Sequence, residues 1–393
     1  MIDAFFDGLL LVLQWKALAF MLLGVGLGFW VGLLPGLGGA TTLALMLPFI
    51  YTMQPVEAFA FLLGMHAVVA TTGDITSVLF GVPGEGTTAA TILDGHAMAK
   101  KGEAGRALGA ALMSSLIGAV VGAFALALAV PVVRPLVLTF GSPELFMLAI
   151  VGLAFIASLS AQGARGMLRG FLAGGLGLLC ATVGQDPQAG IGRFTLDTLY
   201  LWGGLDLVPV LVGIFAIPEI IDLAVRGTSI AGDLPPGRLN KGALQGIKDT
   251  FRYFGLTIRC SLIGTFIGIM PGLGGAVAQW MAYGHATQSA RNAEERKRFG
   301  AGDVRGVLGP GAANNSKEGG SLIPTVAFGV PGSTAMAILL GGFFLLGLVP
   351  GPDMLTTHLP ITFSMVWTIV LANVITVAAC LLLLNHLAAL TTV

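Results

Sequence analysis

The stretch LFGVPGEGTTAATILDG, Leu79 to Gly95, nearly spells the phosphate-cradling pattern G-x-x-x-x-G-K-[ST]. Gly81 and Gly86 keep the spacing, but Thr87 stands where the lysine belongs. Without that cation there is nothing to neutralise a phosphate, and no strand–helix–strand pattern surrounds the loop. A second copy, AFGVPGSTAMAILLGG from Ala327 to Gly342, lies 248 positions later and also lacks the lysine. Its GVPGSTAM breaks the nucleotide spacing altogether, so the chemistry sought is not phosphate binding on a soluble loop.

The alternative chemistry follows from the surroundings. The chain has 393 residues, 55% apolar and only 10% charged, against roughly 25% charged in a soluble domain. Runs such as Ala17–Leu34, Leu108–Val133 and Ile361–Leu384 suit bilayer-crossing helices of about 20 residues. A proline-glycine break inside a membrane helix frees backbone NH and CO groups that lipid cannot satisfy, so it must line protein or a polar cavity. The half-helix that follows points NH groups and a positive dipole end at that cavity, which suits a carboxylate. The freed carbonyls suit sodium.

The residues assigned to an anionic substrate are therefore Gly38, Gly39, Ser77, Gly84, Glu85, Gly86, Thr87 and Thr88 in the first half. In the second half they are Gly274, Gly275, Asn314, Asn315, Gly332, Ser333 and Thr334. Pro35, Asp74, Gly81, Pro83, Pro271, Thr325, Gly329 and Pro331 are assigned to a sodium ion. Hydroxyls can donate to carboxylate oxygens or coordinate sodium. Asn314 and Asn315 bring amides to membrane depth, where they need partners: a bound anion, or another helix. Asp74, Lys317 and Glu318 admit two readings, with the aspartate a sodium ligand and the other two a mutual pair. His96, His285, His358 and His386 have no repeat counterpart and no ligand spacing, and fit loop or interface roles.

The elements that must position these residues are duplicated. PGLGG occurs at Pro35–Gly39 and Pro271–Gly275, FGVPG at Phe80–Gly84 and Phe328–Gly332. At the second offset His66 pairs with Asn314 and Ser77 with Thr325. Each repeat reads as two helices around PGLGG, a third helix, a re-entrant hairpin tipped by FGVPG, and a fourth helix. In the first repeat the third helix spans 58–72, the hairpin 75–97 and the fourth helix 107–133; the second hairpin spans 322–345. Basic residues follow the first FGVPG block (Lys100, Lys101, Arg106) but precede the second (Arg291, Arg296, Lys297, Arg298, Arg305). Positive loops favour the cytoplasm, so equivalent loops are expected on opposite sides and the repeats to be inverted.

The expected fold is all-α and polytopic, with about 11 transmembrane helices and two hairpins. It divides into repeat 1 (1–135), a three-helix scaffold (136–225, helices near 143–160, 163–185 and 199–225), a basic cytoplasmic linker (226–252) and repeat 2 (253–393). Cys180, Cys260 and Cys380 lie far apart in apolar surroundings and read as small buried hydrophobes. No nucleophile–base pair, zinc spacing or basic-aromatic pattern points to an enzyme or to nucleic acid. A passive anion channel, with the paired loops as its filter, is the rival, as is a non-transporting membrane subunit. Polar clusters confined to the tips favour alternating access over a continuous pore.

The segments GLLPGLGGATTLALMLPF (Gly32–Phe49), GDITSVLFGVPGEGTTAATILDGHAMAKKGEAGRALGAA (Gly73–Ala111), GIMPGLGGAVAQ and FGVPGSTAMAILLGG resemble TctA, the large membrane subunit of the tripartite tricarboxylate transporters. The block Asp94–Gly109 is the most specific part, and the resemblance runs from about Ala17 to Leu390. It implies a bacterial inner-membrane secondary transporter driven by a cation gradient, with sodium the expected ion and no other cofactor. It further implies tri- or dicarboxylate import, an elevator motion, a periplasmic solute-binding protein and a small four-helix membrane subunit as partners, and a homodimer. Members of the family usually continue beyond the point equivalent to Val393, with a counterpart of the three-helix scaffold.

Overall fold

The structure is a computed structural model that describes residues 1–34, 38–139, 239–271 and 273–390, with 141–225 described in part. In order, the helices are α1 (Ile2–Leu13), α2 (Trp15–Gly32), α3 (Gly39–Met46), α4 (Pro55–Phe80), α5 (Ala89–Lys100), α6 (Ala104–Leu138) and α7 (Gly163–Ala181). They continue as α8 (Leu239–Arg252), α9 (Phe254–Ile269), α10 (Gly274–Gln288), α11 (Ala293–Arg296), α12 (Arg305–Phe328), α13 (Thr334–Leu345) and α14 (Leu359–Leu390). Among the described residues four helices are long and apolar enough to cross a membrane: Trp15–Gly32, Pro55–Phe80, Ala104–Leu138 and Leu359–Leu384. The one strand pair described, β1 (Gly184–Gln185) with β2 (Gly192–Arg193), is an antiparallel clip of two residues a side.

Two helices carry the centre. Every residue of α4 from Ala58 to Leu79 is buried, and every residue of α12 from Arg305 to Ala327. Neither shows an amphipathic stripe, because neither has a solvent or lipid side. In lipid little hydrophobic force joins helices, so small residues must admit close approach. A methyl at Gly28 would meet the backbone of Met65, and one at Gly32 the hydroxyl of Thr72 and the backbone of Val69. In the other half Gly264 faces Ala313 and Ser316, and Gly268 faces Lys317 and Ser321. The α2–α4 crossing thus reappears as α9–α12. Gly118 and Gly122 of α6 press onto Ala312 and Ser316 of α12, tying the first half to the second.

Several expected boundaries change. The third helix and the outer arm of the first hairpin are one continuous helix, α4. The helix ends only at Gly81, a left-handed C-cap with φ 68°. The second half behaves identically, with α12 running to Gly329 at φ 68°. A side-chain-bearing residue reaches that conformation only at a cost, which is why both breaks fall on glycine. The expected linker is half structure: 226–238 lie outside the described residues, while 239–252 form α8. This helix docks on α6, where Gly242 and Gly246 abut the backbone of Arg106 and Arg106 Nε donates to Asp249 Oδ2 at 2.6 Å. Of the three expected scaffold helices, 163–185 is seen as α7. The 143–160 helix lies mostly outside the described residues, and 199–225 is described only in short turns. Cys260 and Cys380 are buried as expected, but Cys180 is exposed on the surface of the chain.

Candidate functional site

The first tip is the short segment between α4 and α5. After Gly81 the chain bends at Val82 and Gly84, is extended at Glu85, makes one 3-10 turn over Gly86–Thr88, and enters α5. Gly84 folds back on α4 with room for a hydrogen only, a methyl there falling 2.5 Å from Gly73 Cα. Ser77 Oγ donates to Thr88 Oγ1 at 2.8 Å, and Thr88 Oγ1 donates to the Glu85 carbonyl at 3.0 Å. The second tip repeats the design: a methyl at Gly332 would lie 2.7 Å from Ser321 Cα, and Ser333 Oγ accepts from Met336 N at 3.3 Å to cap α13. Thr325 Oγ1 donates to Ser321 O at 2.6 Å and accepts from Gly332 N at 3.4 Å.

Around the first tip a set of polar side chains and two glycines closes a ring. Gly39 N, at the start of α3, donates to Glu85 Oε2 at 3.1 Å, and Thr87 Oγ1 donates to Glu85 Oε1. A methyl at Gly275 would lie 2.6 Å from Thr87 Cγ2 and would strike the Lys317 stem. Lys317 Nζ pairs with Glu318 Oε1, and His66 Nε2 lies 3.0 Å from the same oxygen. The His66 ring fills the space that a side chain at Gly39 would occupy, which returns to the start. Both PGLGG loops therefore meet the first tip through a buried set of charges. Glu85, His66, Lys317 and Glu318 are each less than a tenth exposed.

The expected site residues divide accordingly. Gly39, Glu85, Thr87 and Gly275 come together at this ring, and a methyl at Gly38 would lie 3.7 Å from Glu85 Cβ. Thr88 and Ser77 lie beneath it, inside the tip. Gly86 and Gly274 face open space, with nothing within 4 Å of where a side chain would begin, and Gly274 takes φ 67°. Asn314 and Asn315 lie on α12 and bond to helices: Asn314 Nδ2 to Ala70 O at 2.8 Å, and Asn315 Nδ2 to Thr71 Oγ1 at 2.6 Å and Asn373 Oδ1 at 2.5 Å. Ser333 is buried in its cap, while Thr334 is exposed at the start of α13. Of the residues assigned to sodium, Asp74 Oδ2 lies 3.5 Å from Asn314 Nδ2. Gly81 and Gly329 form the two helix C-caps, Pro83 and Pro331 lie partly buried in the tips, and Pro271 is partly buried before α10. Thr325 is committed to the second tip as described above. Pro35 lies outside the described residues.

Four polar residues of this region carry no site assignment from the sequence. His66 figures there only as the counterpart of Asn314, Lys317 and Glu318 only as an ambiguous pair, and Asn373 not at all. The signal is present in the first three: ionisable residues inside membrane-depth helices, where each demands a partner.

A further set of polar contacts closes the opposite end of the hairpin. Asp94 of α5 is buried, its Oδ1 accepting from Gly302 N at 2.7 Å and Asp303 N at 2.8 Å, its Oδ2 from Tyr283 OH at 3.0 Å. Lys101 reaches the Ala301 carbonyl. Arg305 binds Asp303 at 2.8 Å and Glu295 at 3.3 Å and stacks over Phe299. The charged loop Arg291–Gly302, without counterpart in the first half, thus grips the return arm of the first hairpin.

Long apolar helices, fully buried central helices and a charged ring at a broken-helix tip define a multi-pass helical membrane protein built around an interior polar site. The chain belongs to the tripartite tricarboxylate transporter TctA family, whose family model matches residues 18–393. Members of that family work with TctB and TctC subunits. Two proteins of Agrobacterium vitis are similar to the chain. "Uncharacterized 52.8 kDa protein in TAR-I ttuC' 3'region" is 34% identical over 355 residues, 90% of this chain and 69% of the relative. "Uncharacterized protein in TAR-II ttuC' 3'region" is 32% identical over 114 residues, 29% of this chain and 46% of the relative. No solved structure matches the chain.

Proposed function

We propose that the chain is the substrate-carrying membrane subunit of a secondary active transporter that imports a di- or tricarboxylate together with a cation across a bacterial inner membrane. The observation that carries this reading is the convergence of both PGLGG loops and the first FGVPG tip on one buried charged ring. Charges are kept at membrane depth when they serve a pathway, and paired helix breaks mark the binding region of repeat-built transporters. The equivalent crossings α2–α4 and α9–α12 support two repeats, and the opposite placement of the basic loops in the two halves supports their inversion, with the tips moving as an elevator past the remaining helices. Sodium is the expected coupling ion, and the substrate would arrive from a periplasmic solute-binding protein, with a small four-helix subunit beside the chain.

The test is ligand-dependent thermal stability of the purified chain, because a ligand of the folded state stabilises it by mass action, about 2.7 kcal/mol at one hundred times Kd. Citrate, succinate, malate and tartrate would be screened with sodium and with choline in its place. A shift that needs both one carboxylate and sodium, and that falls away in Thr87→Ala, is the expected result. A carboxylate shift indifferent to sodium would remove the sodium assignment, and no shift with any carboxylate would overturn the reading.

A further inference from the structure

The ring has a charge imbalance that the hydrogen bonds do not resolve. It holds two carboxylates, Glu85 and Glu318, against one ammonium, Lys317, with His66 as its remaining titratable member. The other cations on the elements around it are engaged elsewhere: Lys16 of α2 lies over Trp15, Arg259 of α9 donates to the Gly255 carbonyl, and Arg305 of α12 pairs with Asp303 and Glu295. On α4 the next ionisable residue is Asp74, another acid, beside Asn314. α3 and α10 present Gly39 and Gly275 to the ring, α2 and α9 present glycines to α4 and α12, and α14 presents Asn373 to Thr71. With His66 neutral the ring carries a net negative charge in a place from which solvent is excluded, which is among the costliest arrangements a membrane protein can hold. Three polar atoms in the same pair also lack a hydrogen-bond partner among the described residues: His66 Nδ1, His66 Nε2 and Glu318 Oε2, although Nε2 lies within ion-pair distance of Glu318 Oε1.

A proton answers the imbalance. On His66 Nε2 it lies between the imidazole and Glu318 Oε1, 3.0 Å apart, and brings the ring to neutrality. A metal ion is a poorer match for the same place. A hard cation wants six or more oxygens and no neighbouring positive charge, while here one oxygen is already bonded to the Lys317 ammonium.

We infer that the His66–Glu318 pair is a proton-binding site of this protein, separate from the residues assigned to sodium. This rests on the transport reading only for its consequence, that the proton would be exchanged in the transport cycle; the site itself is defined by geometry. The proton belongs to both members of the pair rather than to one, and the Lys317 ammonium shares the same Glu318 oxygen.

The test is nuclear magnetic resonance of the purified full-length chain labelled with nitrogen-15 in the imidazole rings, read from pH 5 to 9 without substrate or sodium. The chain has five histidines. An ordinary imidazole, with a pKa of about 6.5, is neutral at pH 8. One imidazolium signal persisting at pH 8 is expected, missing from His66→Gln and converted to the neutral form in Glu318→Gln. If no ring remains charged at pH 8 in the unsubstituted chain, the inference fails without any variant being needed. A charged signal that survives both substitutions belongs to another histidine and also overturns it. Since no carboxylate is present, either outcome leaves the thermal-shift test of transport standing by itself.

Discussion

At the residue scale, function depends on what glycine omits. Gly39 is the point where a backbone NH, a histidine ring and a carboxylate share one small volume, and a methyl there would fall 2.8 Å from His66 Cε1. Gly39→Ala should therefore cost about 1–3 kcal/mol by overpacking, and should also displace Glu85 from the α3 N-terminus. Gly86, one residue beyond Glu85, faces open space, so Gly86→Ala is the matched control and should leave the melting temperature within error. Thermal unfolding of the two variants side by side decides whether the tip tolerates bulk on one side only. The Thr71–Asn315–Asn373 seam is a different kind of contact. It joins α4, α12 and α14 through hydrogen bonds of 2.5–3.1 Å, each worth about 0.6 kcal/mol in a membrane. Asn373→Ala should weaken it measurably but modestly, and a loss above a few kcal/mol would mean that the seam does more than hold helices.

Elements impose a second level of constraint. The C-caps of α4 and α12 both end in a glycine at φ 68°, and left-handed geometry costs a residue with a side chain roughly 1–2 kcal/mol. Gly81→Ala and Gly329→Ala should lower stability by similar amounts, with the first somewhat worse because its methyl would also press on the His96 ring at 2.8 Å. Equal and negligible effects would show that the caps relax. The charged clasp at the other end of α5 should respond to acid. Burial works against a charged Asp303, yet hydrogen bonds from the Arg305 side chain and backbone outweigh it and hold the carboxyl below its usual range. A depressed folded value means that the contribution is complete above the ordinary aspartate range, near pH 4, and is lost as pH falls through the folded value. Asp303→Asn should flatten that acid limb in a plot of melting temperature against pH, and an unchanged limb would place the sensitivity elsewhere.

The whole molecule poses the question of orientation. Lys101 and Val349 occupy equivalent places after the two hairpins, 248 positions apart, and both are exposed. In inverted repeats they face opposite sides of the membrane. Single cysteines at these positions, in a background without Cys180, Cys260 and Cys380, should be labelled by an impermeant thiol reagent from opposite sides in intact and inverted vesicles. Labelling from the same side would exclude inversion while leaving the repeated crossings intact. The halves are also interlocked: α5 of the first half is held by the loop before α12, and Gly342 of α13 packs on Leu47, Ile50 and Leu62 of the first half. A rigid-body motion of the tips must therefore carry parts of both halves together.

The sequence by itself determined the class, the duplicated plan and the glycine breaks, because these follow from local properties: hydropathy over a helix length, recurrence of PGLGG and FGVPG, and the steric freedom of Gly81 and Gly329. It also held Glu85 and Thr87 in view, since they sit beside a break. What the tertiary structure alone decided was partnership. Whether Asn314 meets a ligand or a helix, whether Lys317 and Glu318 pair in isolation or with His66, and whether Glu85 points at a cavity or at Gly39 depend on residues far away along the chain. Those contacts are set by how close glycine lets α2, α4, α9 and α12 approach. Spacing along a chain encodes faces of one helix; it does not encode which two faces meet.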